Sequence, residues 1–355
     1  MFFNIIPGVV LFVHGVIHLL GFIRAFFPGK IKIEGRPVGK KMGLVWLLAT
    51  LLFLAAFALW LFQLPYWSLV ALIAVAVSQF LILVQWKEAK FGTLANIIVL
   101  LWAWPHYGGV HFDNMLQSEW DQLKSGVTAP ARDTIREEQL AGLPYIVQKW
   151  LRQSGAVGKP SVSHAYIRQA GTMLLETGST QKLGFDGVEY FDVKNPAFIW
   201  STKVNYASWL PLSVRDKWIN GEAEMLVKLM NVINVVHEKD NEKMDKAAAL
   251  RFLGELCWMP AAALEPFIKW ELMDSLSAKA TIAYQDKTYS GTFTFTKDGK
   301  IKTFEAIRLF GNEKGSKEYP WQVEAQEYDY VNGYQIPSRC IVTWILPTGK
   351  FTWME

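Results

Sequence analysis

The chain has 355 residues, of which 51% are hydrophobic and only 19% charged, and its mean hydropathy is +0.15. A soluble globular domain carries about a quarter charged residues, so this chain is too apolar to be one throughout. An aromatic content of 14% excludes a disordered chain, and two cysteines exclude a disulfide-dense scaffold or a four-cysteine zinc site.

The formal charge of +4 is concentrated at the front. Residues 1–106 carry Arg24, Lys30, Lys32, Arg36, Lys40, Lys41, Lys87 and Lys90 against Glu34 and Glu88, and the remainder is slightly acidic. That distribution marks a membrane segment and excludes a nucleic-acid footprint. Four apolar runs, about 3–27, 42–62, 66–86 and 91–107, come close to the ~20 residues a helix needs to cross a hydrocarbon core. They predict a four-helix transmembrane bundle over 1–106, with Pro105 ending the fourth span. The first run lacks a basic leader and a small-residue cleavage site, so it reads as retained. The basic residues fall in the first and third loops, which the positive-inside rule places in the cytoplasm. The expected location is the cytoplasmic (inner) membrane, multi-pass, with the N-terminus and the C-terminal domain outside.

Polar residues inside these spans are few. His14 and His18 share one helix face, and their depths match those of Gln79 and Asn96, with Ser78 and Thr50 nearby. The set predicts an intramembrane polar layer. It serves either as a hydrogen-bonded clamp between helices or as a metal or haem site at His14 and His18. With no second histidine pair on another span, the clamp is preferred and no cofactor is expected.

Residues 107–132 read as a loop-like connector, with His106 and His111 at the membrane exit. A β-rich domain then covers 133–355. Its first stretch, 133–154, is helical, capped by Asp133 or Thr134, with Pro144 opening the main turn. Thirteen short β-rich runs follow between 163 and 355, bounded by turn residues. Asp298-Gly299, Asn332-Gly333 and Asn220-Gly221 mark hairpins. One helical run, 245–258, interrupts them and is stopped by Pro260. The fold class is therefore α+β: the membrane bundle, then an antiparallel half-barrel with one internal helix. A sheet of that size must curl to cover its apolar face. Trp200, Trp209, Trp218, Trp258, Trp270, Trp321, Trp344 and Trp353 supply either a filled core or the lining of a cavity.

At RFLGELCWMPAAAL (Arg251 to Leu264) the chain resembles an uncharacterised group of bacterial membrane-anchored proteins. Similar pieces are LPYIVQKWL from Leu143, AFIW from Ala197, Asp216, NGEAEML from Asn220, SAKAT from Ser277 and the segment from Gly333 to Trp344. HGVIHLLGF, from His14, resembles the four-span modules that some members carry. The group has no assigned activity, so the resemblance implies no catalytic residue. The strand pattern is also similar to the lipoprotein-carrier half-barrels of the LolA/LolB type, a likeness of fold alone.

No nucleophile constellation, phosphate loop or Cys-x-x-Cys pair is present. His164 and His237 stand apart, without a paired ligand. Cys257 and Cys340 read as small buried hydrophobes. Arg251 and Glu255 lie four apart on the internal helix. They form either a helix ion pair or, with Trp258, Trp200 and Trp270, a ligand site in which Arg251 anchors an anionic head group. The leading expectation is a membrane-tethered binding protein for a lipid or other amphiphile, with the membrane itself as a partner and no nucleic acid. The alternatives are a membrane redox, metal or haem protein using His14 and His18, and a structural or sensory protein engaging another envelope protein. An enzymatic activity is not favoured.

Overall fold

The computed structural model describes residues 5–29, 37–125, 134–207, 210–311 and 315–355. Lys30, Lys32, Glu34, Arg36, Asp133 and Trp209 lie outside the described residues. The chain divides into two compact units, Met1–Met115 with Met230–Val232, and Leu116–Leu229 with Ile233–Glu355.

The first unit is helical: α1 (Ile6–Phe26), α2 (Lys40–Leu61), α3 (Trp67–Val84), the single turn α4 (Trp86–Ala89) and the first two-thirds of α5 (Gly92–Ser125). Among the described residues, three of these helices, α1, α2 and α3, are long and apolar enough to cross a membrane. Their large apolar side chains point outward: Phe12, Val16, Ile17, Leu48, Leu51, Ile73, Phe80 and Leu83 are all exposed. Small residues occupy the interior, among them Ala49, Ala56, Ala71 and Ala74. A Cβ added at Gly8 would lie 2.2 Å from the Trp60 ring, and one at Gly21 would lie 2.2 Å from the Trp46 ring. Large rings on α2 thus seat against small residues on α1, the packing that lets helices approach where lipid supplies no hydrophobic drive.

The fourth expected span lies within α5, and here the sequence reading needs correction. Pro105 does not end the helix, and the residues expected as loop, 107–125, are helical. A proline costs one i→i−4 hydrogen bond and a steric adjustment, which a helix with enough lateral packing absorbs. The overlooked signal is the spacing of Phe112, Leu116 and Trp120, of which Phe112 and Leu116 are almost fully buried.

Among its described residues, the second unit is built on one open antiparallel sheet of thirteen strands. They are β1 (His164–Met173), β2 (Leu183–Asp192), β3 (Ala197–Ala207), β4 (Leu210–Ile219), β5 (Glu222–Leu229), β6 (Ile233–Glu238), β7 (Ile268–Asp274), β8 (Ser277–Tyr284), β9 (Lys287–Phe295), β10 (Ile301–Leu309), β11 (Glu318–Val331), β12 (Tyr334–Leu346) and β13 (Gly349–Met354). Every expected strand run is present. The order is β6-β5-β4-β3-β2-β1-β13-β12-β11-β10-β9-β8-β7, so two meanders are joined where β1 meets β13. Asn220-Gly221 and Asn332-Gly333 both have positive φ (53° and 78°, 51° and 82°), the conformation that a two-residue hairpin turn requires.

The sheet curls strongly. Trp218 of β4 and Tyr284 of β8, far apart in strand order, have ring centroids 5.8 Å apart. The helix α7 (Glu242–Glu255) lies inside the curl, against β4 and β5 on one arm and β8, β9 and β10 on the other. Asn241 caps it by accepting from the Lys243 amide, and Asp245 accepts from the Ala223 amide at 2.8 Å. Phe252, Leu253 and Leu256 are fully buried and Cys257 nearly so, and together they form the helix's packed apolar face. The helix passes into a 3-10 turn at Leu256–Trp258, and Pro260 opens another at Pro260–Leu264.

On the same inner face, α6 (Tyr145–Gln153) sets Trp150 6.1 Å from Trp270 and 6.4 Å from Phe293. Pro144 precedes α6 as its cap, whereas Thr134 pairs with Pro160 in an isolated bridge and caps nothing. The outer face is covered in part by the end of α5. There Glu119 accepts from Arg215 Nη1 at 2.7 Å and from Lys217 Nζ at 2.8 Å, and Glu224 pairs with both cations.

Candidate functional site

The chemistry of the sheet unit concentrates at the middle of α7. Directly opposite residues in an antiparallel ladder share a face, so the pairs Glu189–Trp200 and Trp200–Asp216 form one inward row across β2, β3 and β4. Arg251 reaches that row from α7. Its Nη2 donates to Glu189 at 2.8 Å, its Nη1 to Asp216 at 2.8 Å and its Nε to Glu255 at 2.9 Å. The guanidinium lies over the rings of Phe198 and Trp200, 4.8 and 5.1 Å from their centroids. Trp200 Nε1 donates to Gln169 at 3.1 Å, and Gln169 donates to the second oxygen of Glu189 at 2.9 Å. One cation from α7 and side chains of four adjacent strands, β1 to β4, are thereby locked together.

Burial dominates the electrostatics. It pushes the Glu189 carboxyl well above the usual carboxylate range, with Arg251 only partly opposing, and it pushes Glu255 up in the same way. Burial alone would lower Arg251, but Glu189, Glu255 and Asp216 outweigh it and hold the guanidinium charged. Arg308, on β10, shares the field of Asp216, Arg251 and Glu255, and burial brings it down to about 10. It faces inward with Phe304 and Ala306, stacked 4.3 Å from the Trp321 ring centroid and 5.9 Å from that of Trp344.

The structure brings Arg251, Glu255 and Trp200 together, while the indole N–H groups of the other two expected site residues are bonded elsewhere. Trp258 donates to the Pro337 carbonyl at 3.1 Å, and Trp270 donates to the Ala263 carbonyl at 3.0 Å within the Trp150–Phe293 packing. Arg251 also cannot be the free anion anchor considered above, because three carboxylates already occupy its donors. Glu189, Gln169 and Arg308 were not singled out from the sequence, and Asp216 was noted only as part of the resemblance and not as a site residue. The signal was a charged residue at an inward position of an alternating strand: Glu189 between Phe185 and Phe191, Asp216 between Val214 and Trp218, and Arg308 after Phe304 and Ala306. Beside α7, a pocket lined by Trp218, Ala249, Ile282, Tyr284 and Tyr289 encloses about 10 Å³, room for one water.

In the helical unit the polar layer is a continuous network. His14 Nε2 lies 3.0 Å from Asn96 Oδ1, and His18 Nε2 lies 2.9 Å from Ser78 Oγ. Asn96 donates to Gln79 at 3.0 Å, and Gln79 to Thr93 at 3.3 Å. Thr50 stays outside it, bonded to the Trp46 carbonyl. The His106 ring, to which the sequence assigned no partner, accepts from Trp67 Nε1 at 3.2 Å and contacts Ser68. His164 sits beside Ser163, and His237 contacts Glu224. Among the described residues, no group of three or more His, Cys, Asp or Glu side chains is placed to hold a metal ion. Cys257 and Cys340 are free thiols, and burial pushes both up, Cys340 to about 11.

Residues 133–355 match DUF6544, a family of unknown function. The chain belongs to that family. The matched segment contains every member of the Arg251 cluster, together with α6, α7 and the whole sheet. No curated protein and no solved structure matched the chain.

Proposed function

We propose that this protein is a membrane-tethered binding protein for a lipid or other amphiphile, held on the inner face of the curled sheet. In this reading residues 1–106 form four crossings of the inner membrane, the fourth being the apolar start of α5. The sheet domain faces away from the cytoplasm, as the basic residues of the first and third loops require. The half-barrel likeness to lipoprotein carriers belongs to the same proposal.

One observation carries it: each arm of the sheet passes from a charged inward residue into apolar ones, away from the packed face of α7. On β2, β3 and β4 the row Glu189–Trp200–Asp216 gives way to Gly187–Thr202–Val214 and then Phe185–Val204–Leu212. On the other arm, Arg308 is followed by Phe310, whose ring lies 5.1 Å from Trp344 and 6.4 Å from Phe351. Polar groups at one level and apolar walls beyond it match the two ends of an amphiphile. In this reading the ligand lies on the side of the Arg251 cluster away from α7, or the helix shifts to admit it.

Native mass spectrometry of the full chain, extracted in mild detergent, tests the proposal. A bound amphiphile surviving detergent exchange, identified by solvent extraction, is the expected result. Bare protein, together with no uptake from added phospholipid vesicles, overturns it.

A further inference from the structure

We infer that Arg308 and Glu255 form a head-group subsite for an amphiphile carrying both an anionic oxygen and a polar hydrogen, as in a phosphoethanolamine head group; the inference rests on the amphiphile reading above. Among the described residues, two buried atoms in the cluster find no hydrogen-bond partner: Nε of Arg308 and Oε2 of Glu255. One is a donor on a cation and the other an acceptor on a carboxylate. A buried polar atom left unmade is costly, so two of opposite kind in one electrostatic neighbourhood mark a place that a bifunctional ligand fills.

Arg251 and Arg308 differ in what they have left to offer. Every side of the Arg251 fork is taken by a carboxylate. Among the described residues the Arg308 side chain makes no hydrogen bond and no ion pair; it only stacks on Trp321 and Trp344. Stacking fixes the plane of a guanidinium while leaving its edge free for phosphate or carboxylate oxygens. Glu255 is oriented by its bond to Arg251 through one oxygen, so the other is held in place to accept an ammonium or hydroxyl proton. The neighbouring Asp216 and Glu255 charges disfavour a ligand that is purely anionic, so the cationic or hydroxylic half of the head group is part of the recognition. Phe310 and Trp344 lie next along the same face, where an acyl chain would begin.

The test uses the full chain in detergent, with native mass spectrometry reading the occupancy by four probes: phosphatidylethanolamine, phosphatidylcholine, diacylglycerol and free phosphoethanolamine. The wild-type chain is expected to prefer phosphatidylethanolamine over phosphatidylcholine, which has no N–H, by about tenfold. Glu255→Gln should erase that preference. Arg308→Gln should weaken both phospholipids by about tenfold or more and leave diacylglycerol unchanged. Arg308→Lys, which keeps the charge but loses the fork, should fall between them and controls for a folding defect. Phospholipid binding that is the same in wild type and Arg308→Gln overturns the subsite while leaving the amphiphile reading intact. Tighter binding of free phosphoethanolamine than of the lipid overturns the lipid as source. No binding of any of the three lipids to the wild-type chain overturns the amphiphile reading itself.

Discussion

Arg251 Nη2 donates to Oε1 of Glu189 at 2.8 Å, joining the internal helix to a strand 62 residues earlier in the chain. Glu189 is fully buried, and its only other side-chain partner among the described residues is Gln169. Removing the cation would leave a buried carboxylate facing two others. Arg251→Met is therefore expected to destabilise the sheet domain by about 3–5 kcal/mol, the cost of breaking a buried ion pair from one side. Denaturant unfolding of the full chain in detergent, followed by tryptophan fluorescence, measures it. A loss below about 1 kcal/mol would show that the cluster does not hold α7 in place.

Leu256 is fully buried at the end of the helix face that fills the curl. Leu256→Ala should cost about 2–5 kcal/mol in the same assay, with the value rising as the cavity fails to collapse.

A Cβ built at Gly254 would lie 2.7 Å from Cδ1 of Phe304, so the helix sits against the β10 ring with no room for a methyl group. Gly254→Ala should destabilise by about 1–3 kcal/mol despite the better helix propensity of alanine. The double variant Gly254→Ala, Phe304→Leu should recover part of that loss, and a strictly additive pair would contradict the contact.

On the outer face, burial alone would raise Glu224, but hydrogen bonds and charge from Arg215 and Lys217 hold it down to about 2. Its folded-state pKa is below the unfolded value, so its contribution is fully present above the ordinary carboxylate range near 4.5 and is lost as pH falls from there towards 2. Glu224→Gln should lower stability at pH 7 and flatten the decline over that acidic window. An unchanged pH profile in thermal melts would remove Glu224 from the network.

The His14–Asn96 contact fastens α1 to α5 within the helical unit. His14→Ala should weaken helix association by about 1 kcal/mol, the usual worth of an interhelical hydrogen bond in a membrane. The purified protein should show no visible absorption band and no bound transition metal. A Soret band that disappears in the variant would instead make the histidines ligands.

Local pattern alone determined much of this protein. Three apolar helices, thirteen strands and an interrupting helix were legible because each rests on periodicities of about 3.6 and 2 residues within a short window. Asn220-Gly221 and Asn332-Gly333 were legible because few residue pairs tolerate two positive φ angles in succession. The i, i+4 neighbours Arg251 and Glu255, and the shared face of His14 and His18, also follow from helix geometry.

What the sequence could not show was which distant residues share a level. Glu189, Asp216 and Arg308 come from three strands in two meanders, and only the curl of the sheet around α7 brings them to Arg251 and Glu255. The same holds for Thr93, which joins the polar network of the helical unit through Gln79. The continuation of α5 past Pro105 was decided by tertiary packing as well, since local rules favour a stop there. Long-range placement depends on how surfaces bury one another, and that free energy belongs to the assembled fold and to no single window of sequence.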